Sequence, residues 1–274
     1  MSVAPTHRAD DATPLLSVDR VRLTFSTGPA NTVTALDGIS LDVAKGEFVV
    51  LVGSNGAGKS TLLNAIAGVH RPDSGTIRLD GTDISNLPDH RRARRIARVF
   101  QDPMAGTAAS LTIRENLVLA ERRSGRRRFR MPHGDDRWRA DLAQLGMGLE
   151  DRLSARVGTL SGGQRQALAV LMAIQSRPDL LMLDEHTAAL DPGAAERVLD
   201  VTERLAGDGQ LTTLMITHNM AHAIEYGTRT VMLHAGKVLF DLDGEQRAGL
   251  TVNDLIARFR NLAVDELSDR AVLT

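Results

Sequence analysis

The chain contains no cysteine and no long apolar run. Without cysteine it can form neither disulfide bonds nor thiolate chemistry, a composition that suits a reducing compartment. No stretch approaches the ~18 consecutive apolar residues of a membrane helix, so we do not expect the polypeptide to cross a bilayer by itself. Residues 1–13 lack the apolar core of a signal peptide and are expected to form a flexible tail. The net charge of −1 gives no overall attraction to nucleic acid.

What the chain does contain is a series of apolar runs separated by helical patterns. Residues 15–25 and 39–43 alternate apolar and polar, as half-solvated antiparallel strands do. Residues 229–241 predict a hairpin that turns near Ala235 and Gly236. Three denser runs are typical of strands buried on both faces, as in a parallel sheet: 47–53, 180–184 and 212–217. This alternation of buried strands and helices predicts an α/β fold with a mostly parallel sheet.

Residues from about 102 to 158 differ from the rest of the chain. They lack strand-like runs, and SLTIRENLVLAERR (110–123) has a helical pattern. We interpret them as an α-helical subdomain inserted into a single domain that spans residues 14–265. Residues 266–274 are assigned to a C-terminal tail.

The stretch GSNGAGKS (53–60) follows a predicted buried strand and precedes a helical pattern. It fits the P-loop pattern G-x-x-x-x-G-K-[ST], in which backbone N–H groups and a helix N-terminus bind phosphate. Lys59 would reach the β- and γ-phosphates, and Ser60 would bind Mg²⁺. The expected nucleotide-binding residues of this loop are Gly53, Ser54, Asn55, Gly56, Ala57, Gly58, Lys59, Ser60 and Thr61.

Two adjacent carboxylates end the apolar run LLMLD. A P-loop requires a second carboxylate on the magnesium side, at the end of a neighbouring buried strand, and Asp184 is placed for that role. Glu185 points elsewhere and can accept a hydrogen bond from the water that attacks the γ-phosphate.

The stretch LSGGQRQALAVLMA (160–173) predicts an unusual helix start. Ser161 is a good N-cap, but Gly162 and Gly163 suit a helix start only where the backbone approaches another group closely. One interpretation is a second anion-binding helix N-terminus, and the other is a flexible N-cap. Two phosphate sites in one chain make sense if each serves a different copy of the chain.

These three motifs together resemble the nucleotide-binding subunit of ABC transporters over nearly the whole chain. The resemblance implies an ABC ATPase fold: a P-loop core, an N-terminal antiparallel β subdomain and an inserted helical subdomain. Gln101 in VFQDP matches the glutamine loop, which senses Mg²⁺ and the attacking water. His218 in ITHNM matches the switch histidine that contacts the γ-phosphate, and Asp191 in AALDP matches the loop that couples two sites across a dimer.

The expected adenine platform departs from the family pattern. ABC subunits usually stack adenine on a tyrosine upstream of the P-loop, whereas the matching residue here is Phe25, set farther upstream by the insertion STGPANTVT. A phenylalanine ring keeps the stacking face. The alternative is that Phe25 is an ordinary core residue.

The resemblance also implies the partners. Two copies would pack head-to-tail, with ATP and Mg²⁺ between the Lys59 loop of one copy and the signature residues of the other, which include Ser161, Gly162, Gly163 and Gln164. Closure and reopening of this homodimer, or of a paired ATPase subunit, would drive an integral-membrane permease. The chain would then be a peripheral protein at the cytoplasmic face of the bacterial membrane.

Arginine is unevenly distributed. Of the 33 basic residues only Lys45, Lys59 and Lys237 are lysines, which leaves 30 arginines. One cluster precedes the glutamine loop (Arg91, Arg92, Arg94, Arg95 and Arg98), and another lies at 122–139. These clusters have three interpretations: a solvated helical face, a contact with a permease or anionic lipid, or a nucleic-acid surface. We expect no specific nucleic acid, because the chain is slightly acidic and has one ATPase core without heptads, unlike soluble ABC-type ATPases of ribosomes or DNA.

Three local stretches, VFQDPMAGTAASLTIRENL, LDEHTAALDP and LTTLMITHNMAHAIEYGTRTVMLHAGKV, resemble the ATPase of tryptophan/tyrosine-type bacterial importers. Such importers work with a periplasmic or lipoprotein substrate-binding protein. Exporters also use separate ATPase chains, so export stays an alternative. His186 stands where most ABC subunits have proline; a third catalytic group is one interpretation, and a mark of the importer subgroup is the other.

Overall fold

The computed structural model of the protein describes residues 13–26, 32–123, 135–207, 209 and 211–272. Nearly all of the predicted tail 1–13 lies outside the described residues, as do residues 124–134 of the second arginine cluster. The chain divides into two compact units. The first unit comprises Met1–Asp89 and Ile216–Thr274, and the second comprises His90–Met215.

The first unit opens with an antiparallel sheet. Its first elements are strands β1 (Leu16–Ser26), β2 (Thr32–Val43) and β3 (Phe48–Gly53), helix α1 (Lys59–Ala67), and strands β4 (Ser74–Leu79) and β5 (Thr82–Asp83). The antiparallel sheet has the order β2-β1-β4-β5. Every residue of β3 is buried, as its continuous apolar sequence predicts.

The second unit is a group of helices around three strands. Its elements are α2 (Asp89–Arg92), β6 (Ile96–Val99), α3 (Ile113–Arg123), α4 (Asp135–Ala143), a 3₁₀ turn (Val157–Thr159), α5 (Gly162–Gln175), β7 (Leu180–Asp184), α6 (Pro192–Ala206) and β8 (Thr212–Ile216). The strand order is β8-β7-β6, with β6 and β7 parallel. The helices enclose an apolar core around Trp138, Leu142 and Leu168. The helical pattern of 110–123 corresponds to α3.

The chain then returns to the first unit. Here it forms α7 (Met220–Glu225), β9 (Arg229–His234), β10 (Lys237–Leu242), α8 (Gly244–Arg247) and α9 (Val252–Val272). Strand β3 pairs in parallel with β9, and β9 pairs with β10 as a hairpin. Ala235 and Gly236 have φ angles of 46° and 78°, both in the left-handed region that a tight two-residue hairpin turn requires.

The predicted fold class, a mostly parallel sheet with an N-terminal antiparallel sheet, is confirmed. The last turns of α9 fall on residues 266–272, which the sequence pattern had suggested as a tail. Within the described part of the chain, no helix combines the length and the apolar character needed to span a membrane.

Candidate functional site

The predicted phosphate-binding loop lies between β3 and α1 in the first unit. Gly53 has φ 153°, and a Cβ atom there would lie 2.2 Å from the carbonyl oxygen of Leu233, so only glycine fits. Helix α1 starts at Lys59, after the N-cap Gly58, which makes no side-chain hydrogen bond to the first turn. The first N–H groups of such a helix can bind an anion.

Lys59 lies folded across this loop. Its side chain is only 6% exposed, and Nζ donates hydrogen bonds to the carbonyl oxygens of Gly53 (2.8 Å) and Ser54 (3.0 Å). An ammonium group has three N–H donors and no acceptor, so its bonds to these two carbonyls are compatible with a further bond to a phosphate oxygen. The loop carbonyls hold the lysine against the loop.

Phe25 lies at the surface of the first unit. Its ring is 37% exposed at the end of β1, so it is not a core residue. The ring of His70 contacts it edge to face, with 5.1 Å between centroids and 79° between planes. An exposed, laterally supported aromatic face is what stacking on a planar base requires, and stacking on adenine stays a prediction.

His218 is exposed directly after β8. The preceding residue, Thr217, donates its backbone N–H to the carbonyl oxygen of Leu51 in β3 at 3.1 Å. The following residue, Asn219, is the N-cap of α7 and accepts a hydrogen bond from the N–H of Ala221 at 2.9 Å. The backbone on both sides of His218 is therefore anchored.

Asp184 ends strand β7 in the second unit and has a counter-ion that the sequence did not predict. The guanidinium of Arg98 in β6 donates to Oδ2 of Asp184 at 2.5 Å, and their side chains are only 16% and 14% exposed. The same guanidinium lies 4.8 Å from the ring centroid of Phe100. The interpretation of the first arginine cluster as a solvated face is therefore wrong for Arg98, which is largely shielded from water, and for Arg92, which is buried. The signal was a single charge inside the otherwise apolar strand IARV.

Gln101 and Asp184 line the same cleft. This cleft in the second unit has a volume of about 460 Å³, and Gln101 itself is exposed. The backbone before Gln101 is held by Gln166, a fully buried residue of α5, whose Nε2 donates to the carbonyl oxygen of Phe100 at 3.1 Å. Gln166 is a second residue that the sequence analysis missed.

Glu185 follows Asp184 in an unusual backbone conformation. Its φ angle is 45°, which lies in the left-handed region that residues other than glycine rarely occupy. Such a conformation costs on the order of 1–3 kcal/mol and persists only where the surrounding structure holds it.

The helix start at Ser161 is a closed capping box. Ser161 Oγ accepts from the N–H of Gln164, and Gln164 Oε1 accepts from the N–H of Ser161, both at 3.2 Å. Gln164 also donates to the carbonyl oxygen of Met147 at 3.2 Å. Ser161 is therefore the N-cap of α5, and whether this helix start binds an anion stays a prediction.

The two glycines after Ser161 are explained by packing. A Cβ atom on Gly163 would lie 3.0 Å from the Cβ atom of Ala194 at the start of α6, and one on Gly162 would lie 3.2 Å from Leu190 Cδ2. Asp191 caps α6, because its Oδ1 accepts from the N–H of Ala194 at 2.9 Å.

The signature residues and Asp191 are brought together in a second cleft of about 550 Å³, which is lined by Ser161, Gly162, Gly163, Gln164, Asp191 and Arg197, among others. This cleft belongs to the second unit. The P-loop, Phe25 and His218 belong to the first.

His186 is 1% exposed, and its Nε2 lies 3.3 Å from Thr202 Oγ1 in α6. Its interpretation as a third catalytic group is not supported, because the imidazole is buried and contacts a helix. A role as a metal ligand is equally unsupported: among the described residues, no group of three or more His, Cys, Asp or Glu side chains could hold a metal.

The predicted magnesium ligands have suitable chemistry. Magnesium prefers oxygen ligands and is usually held by one or two protein groups together with substrate phosphates. Ser60 is exposed and offers a hydroxyl, and Asp184 offers the carboxylate oxygen that does not face Arg98.

Comparisons with known proteins agree with this arrangement. The family model described as ABC transporter matches residues 36–188. The tyrosine transport ATP-binding protein of Clostridioides difficile (strain R20291) is 40% identical over 89% of this chain and 98% of its own length. The methionine import ATP-binding protein MetN of Mesorhizobium japonicum is 36% identical over 86% of this chain, which spans 62% of that protein.

Solved structures are similar as well. The ATP-binding cassette MJ0796 in a dimeric post-hydrolysis state with ADP and Pi has a TM-score of 0.71 at 28% identity, over 84% of this chain and 98% of that one. The ADP conformation of MJ1267, a cassette of an ABC transporter, has a TM-score of 0.72 at 25% identity, over 90% and 98%. The chain therefore belongs to the ABC transporter family, as an ATP-binding subunit that hydrolyses ATP.

Proposed function

We propose that this chain is the ATPase of an importer for an amino acid or a similar small solute. The observation that carries the proposal is the 40% identity to a tyrosine transport ATP-binding protein across 98% of that protein's length. The name of the MetN relative also specifies import of an amino acid. The stretch DEHTAALDP also resembles that importer subgroup.

The residues divide the chemistry as follows. Lys59, held against the loop by two carbonyls, donates to the β- and γ-phosphates, and the N-terminus of α1 adds backbone donors. Ser60 and Asp184 would hold Mg²⁺, which would supply positive charge to the phosphates. Glu185 accepts the proton of the attacking water, while Gln101 and His218 contact the water and the γ-phosphate.

The chain works as a homodimer in this proposal. The signature helix start exposes Ser161, Gly162 and Asp191 beside a cleft of about 550 Å³. That surface suits the nucleotide of a second copy, because the N-terminus of a helix attracts anions. The similar cassette MJ0796 is dimeric in its post-hydrolysis state. Closure and reopening of the dimer would drive a separate permease, which places the chain at the cytoplasmic face of the membrane as a peripheral protein.

Reconstitution tests the proposal. The chain is co-expressed with its candidate permease, the complex is placed in proteoliposomes with ATP on the chain's side, and uptake of labelled tyrosine or methionine is followed with and without a substrate-binding protein. We expect uptake that requires both ATP and the binding protein, and that is lost when the chain carries Glu185→Gln. ATP-driven transport in the opposite direction, or co-purification with ribosomal RNA instead of a permease, would overturn it.

A further inference from the structure

The turn that carries Glu185 is short and held at its far end. Strand β7 stops at Asp184, and α6 starts at Pro192. The backbone N–H of Ala188 donates to the carbonyl oxygen of Glu185 at 2.9 Å, and Asp191 caps the helix. The near end has the left-handed φ of 45° at Glu185. The bond from Ala188 fixes the carbonyl of Glu185, and a left-handed glutamate keeps its positive φ only where the neighbouring structure also holds the turn.

His186 supplies an anchor at that near end. Its imidazole is buried, and Nε2 lies 3.3 Å from Thr202 Oγ1. Thr202 is also 1% exposed and sits in the third turn of α6, ten residues after the helix starts at Pro192. The contact therefore joins the residue after Glu185 to the body of a helix, not to another part of the same turn.

The direction of this hydrogen bond follows from the threonine. The Thr202 hydroxyl donates to the carbonyl oxygen of Val198 at 2.7 Å. A hydroxyl has one hydrogen, so toward His186 the oxygen accepts, and Nε2 of His186 must carry a hydrogen. Substitution of His186 can keep or remove the donor, and substitution of Thr202 can keep or remove the acceptor.

We propose that His186 is a positioning residue for Glu185: its buried hydrogen bond to Thr202 holds the turn so that the glutamate keeps its left-handed backbone and directs its carboxylate at the attacking water. The proposal rests on the role of Glu185 stated under the proposed function. His186 does not touch the nucleotide. It acts through the peptide bond that it shares with Glu185, because a shift of this peptide moves the carboxylate directly.

The first test compares His186→Ala with His186→Gln in the full-length chain. Alanine removes the anchor, and kcat for ATP hydrolysis should fall about tenfold, the equivalent of ~1.4 kcal/mol, while the Kd for ATP stays within about twofold. Glutamine places an amide N–H donor at a similar reach and should recover most of kcat. A loss that glutamine does not recover, or a loss in Kd as large as in kcat, contradicts a positioning role.

A matched pair on the helix separates positioning from folding. Thr202→Ser keeps the hydroxyl, whereas Thr202→Val keeps the shape and removes it. Valine should lower kcat by about as much as His186→Ala, serine should leave it near wild type, and the double variant His186→Ala/Thr202→Val should be no slower than His186→Ala alone. If valine lowers only the melting temperature and leaves kcat unchanged, the anchor is structural and the inference is wrong.

Glu185→Gln, measured in parallel, distinguishes the two claims. If the Glu185→Gln chain hydrolyses ATP normally, Glu185 is not the base, and the proposed mechanism is wrong. If the Glu185→Gln chain is inactive and the His186→Ala chain is fully active, Glu185 remains the base and only the positioning role of His186 is wrong.

Discussion

Replacing Arg98 by methionine should destabilise the second unit far more than the same change at Arg95. Arg95 directly precedes β6 and pairs with Asp179, which directly precedes β7. Arg98 lies within β6 and pairs with Asp184, the last residue of β7. The pairs differ in exposure. Side chains of the Arg95 pair are 35% and 36% exposed, whereas those of the Arg98 pair are 16% and 14% exposed. Methionine keeps an apolar stem of similar length, so the comparison isolates the charge.

The expected magnitudes follow from that difference. Opposite charges ~4 Å apart attract by about 4 kcal/mol at the effective dielectric of a protein surface, and desolvation of both groups offsets much of this. For the exposed Arg95 pair we expect a net loss of less than ~1 kcal/mol in the free energy of unfolding. Removing Arg98 leaves the carboxylate of Asp184 in a site that water reaches poorly, and we expect a loss of about 2 kcal/mol.

Unfolding can be followed by the fluorescence of the chain's own tryptophan. Trp138 is the only tryptophan in the sequence, and it is buried in the apolar core of the second unit. Both ion pairs belong to the same unit. Urea unfolding followed by Trp138 fluorescence therefore reports the unit of interest. Repeating the titration at ~1 M NaCl, where the screening length is ~3 Å, should abolish the effect of Arg95→Met and leave most of that of Arg98→Met. Equal losses for the two variants, or equal salt dependence, would refute the account of Asp184 as a carboxylate that depends on a buried counter-ion.

Two further substitutions test the loops of the site. Gly163→Ala should lower the free energy of unfolding by about 1 kcal/mol relative to Gly162→Ala. The new Cβ atom at 163 meets the Cβ atom of Ala194, which is attached to the backbone, whereas the one at 162 meets only the end of the Leu190 side chain. Urea unfolding of both variants measures the difference, and equal stability would contradict the packing explanation. Lys59→Ala should raise the Kd for ATP at least tenfold, because it removes the only cation in the P-loop sequence. Binding of a fluorescent ATP analogue measures this Kd. An unchanged Kd would show that Lys59 does not reach the phosphates.

The strands of the sheets and the P-loop were predictable because local sequence determines them. Continuous apolar runs such as FVVLVG mark buried strands, and the P-loop pattern carries its own strand-loop-helix context. The tight turn at Ala235 and Gly236 was predictable for the same reason.

The contacts that tune the site were not predictable, because they join distant segments. Arg98 reaches Asp184 only because β6 and β7 pair in parallel in one register, with Val99 opposite Leu183. His186 reaches Thr202 only because α6 packs back against the end of β7. A sequence shows that Arg98 is charged and His186 is polar, but the docking of strands and helices decides what they contact.

The central claim, that Glu185 is the base for ATP hydrolysis in this chain, is tested most directly by Glu185→Gln in purified protein, with ATP binding and ATP turnover measured on the same sample. The account predicts an unchanged Kd for ATP, a turnover lower by about 100-fold or more, and a nucleotide-bound dimer that persists in size-exclusion chromatography. Turnover at the wild-type rate with normal binding would contradict it.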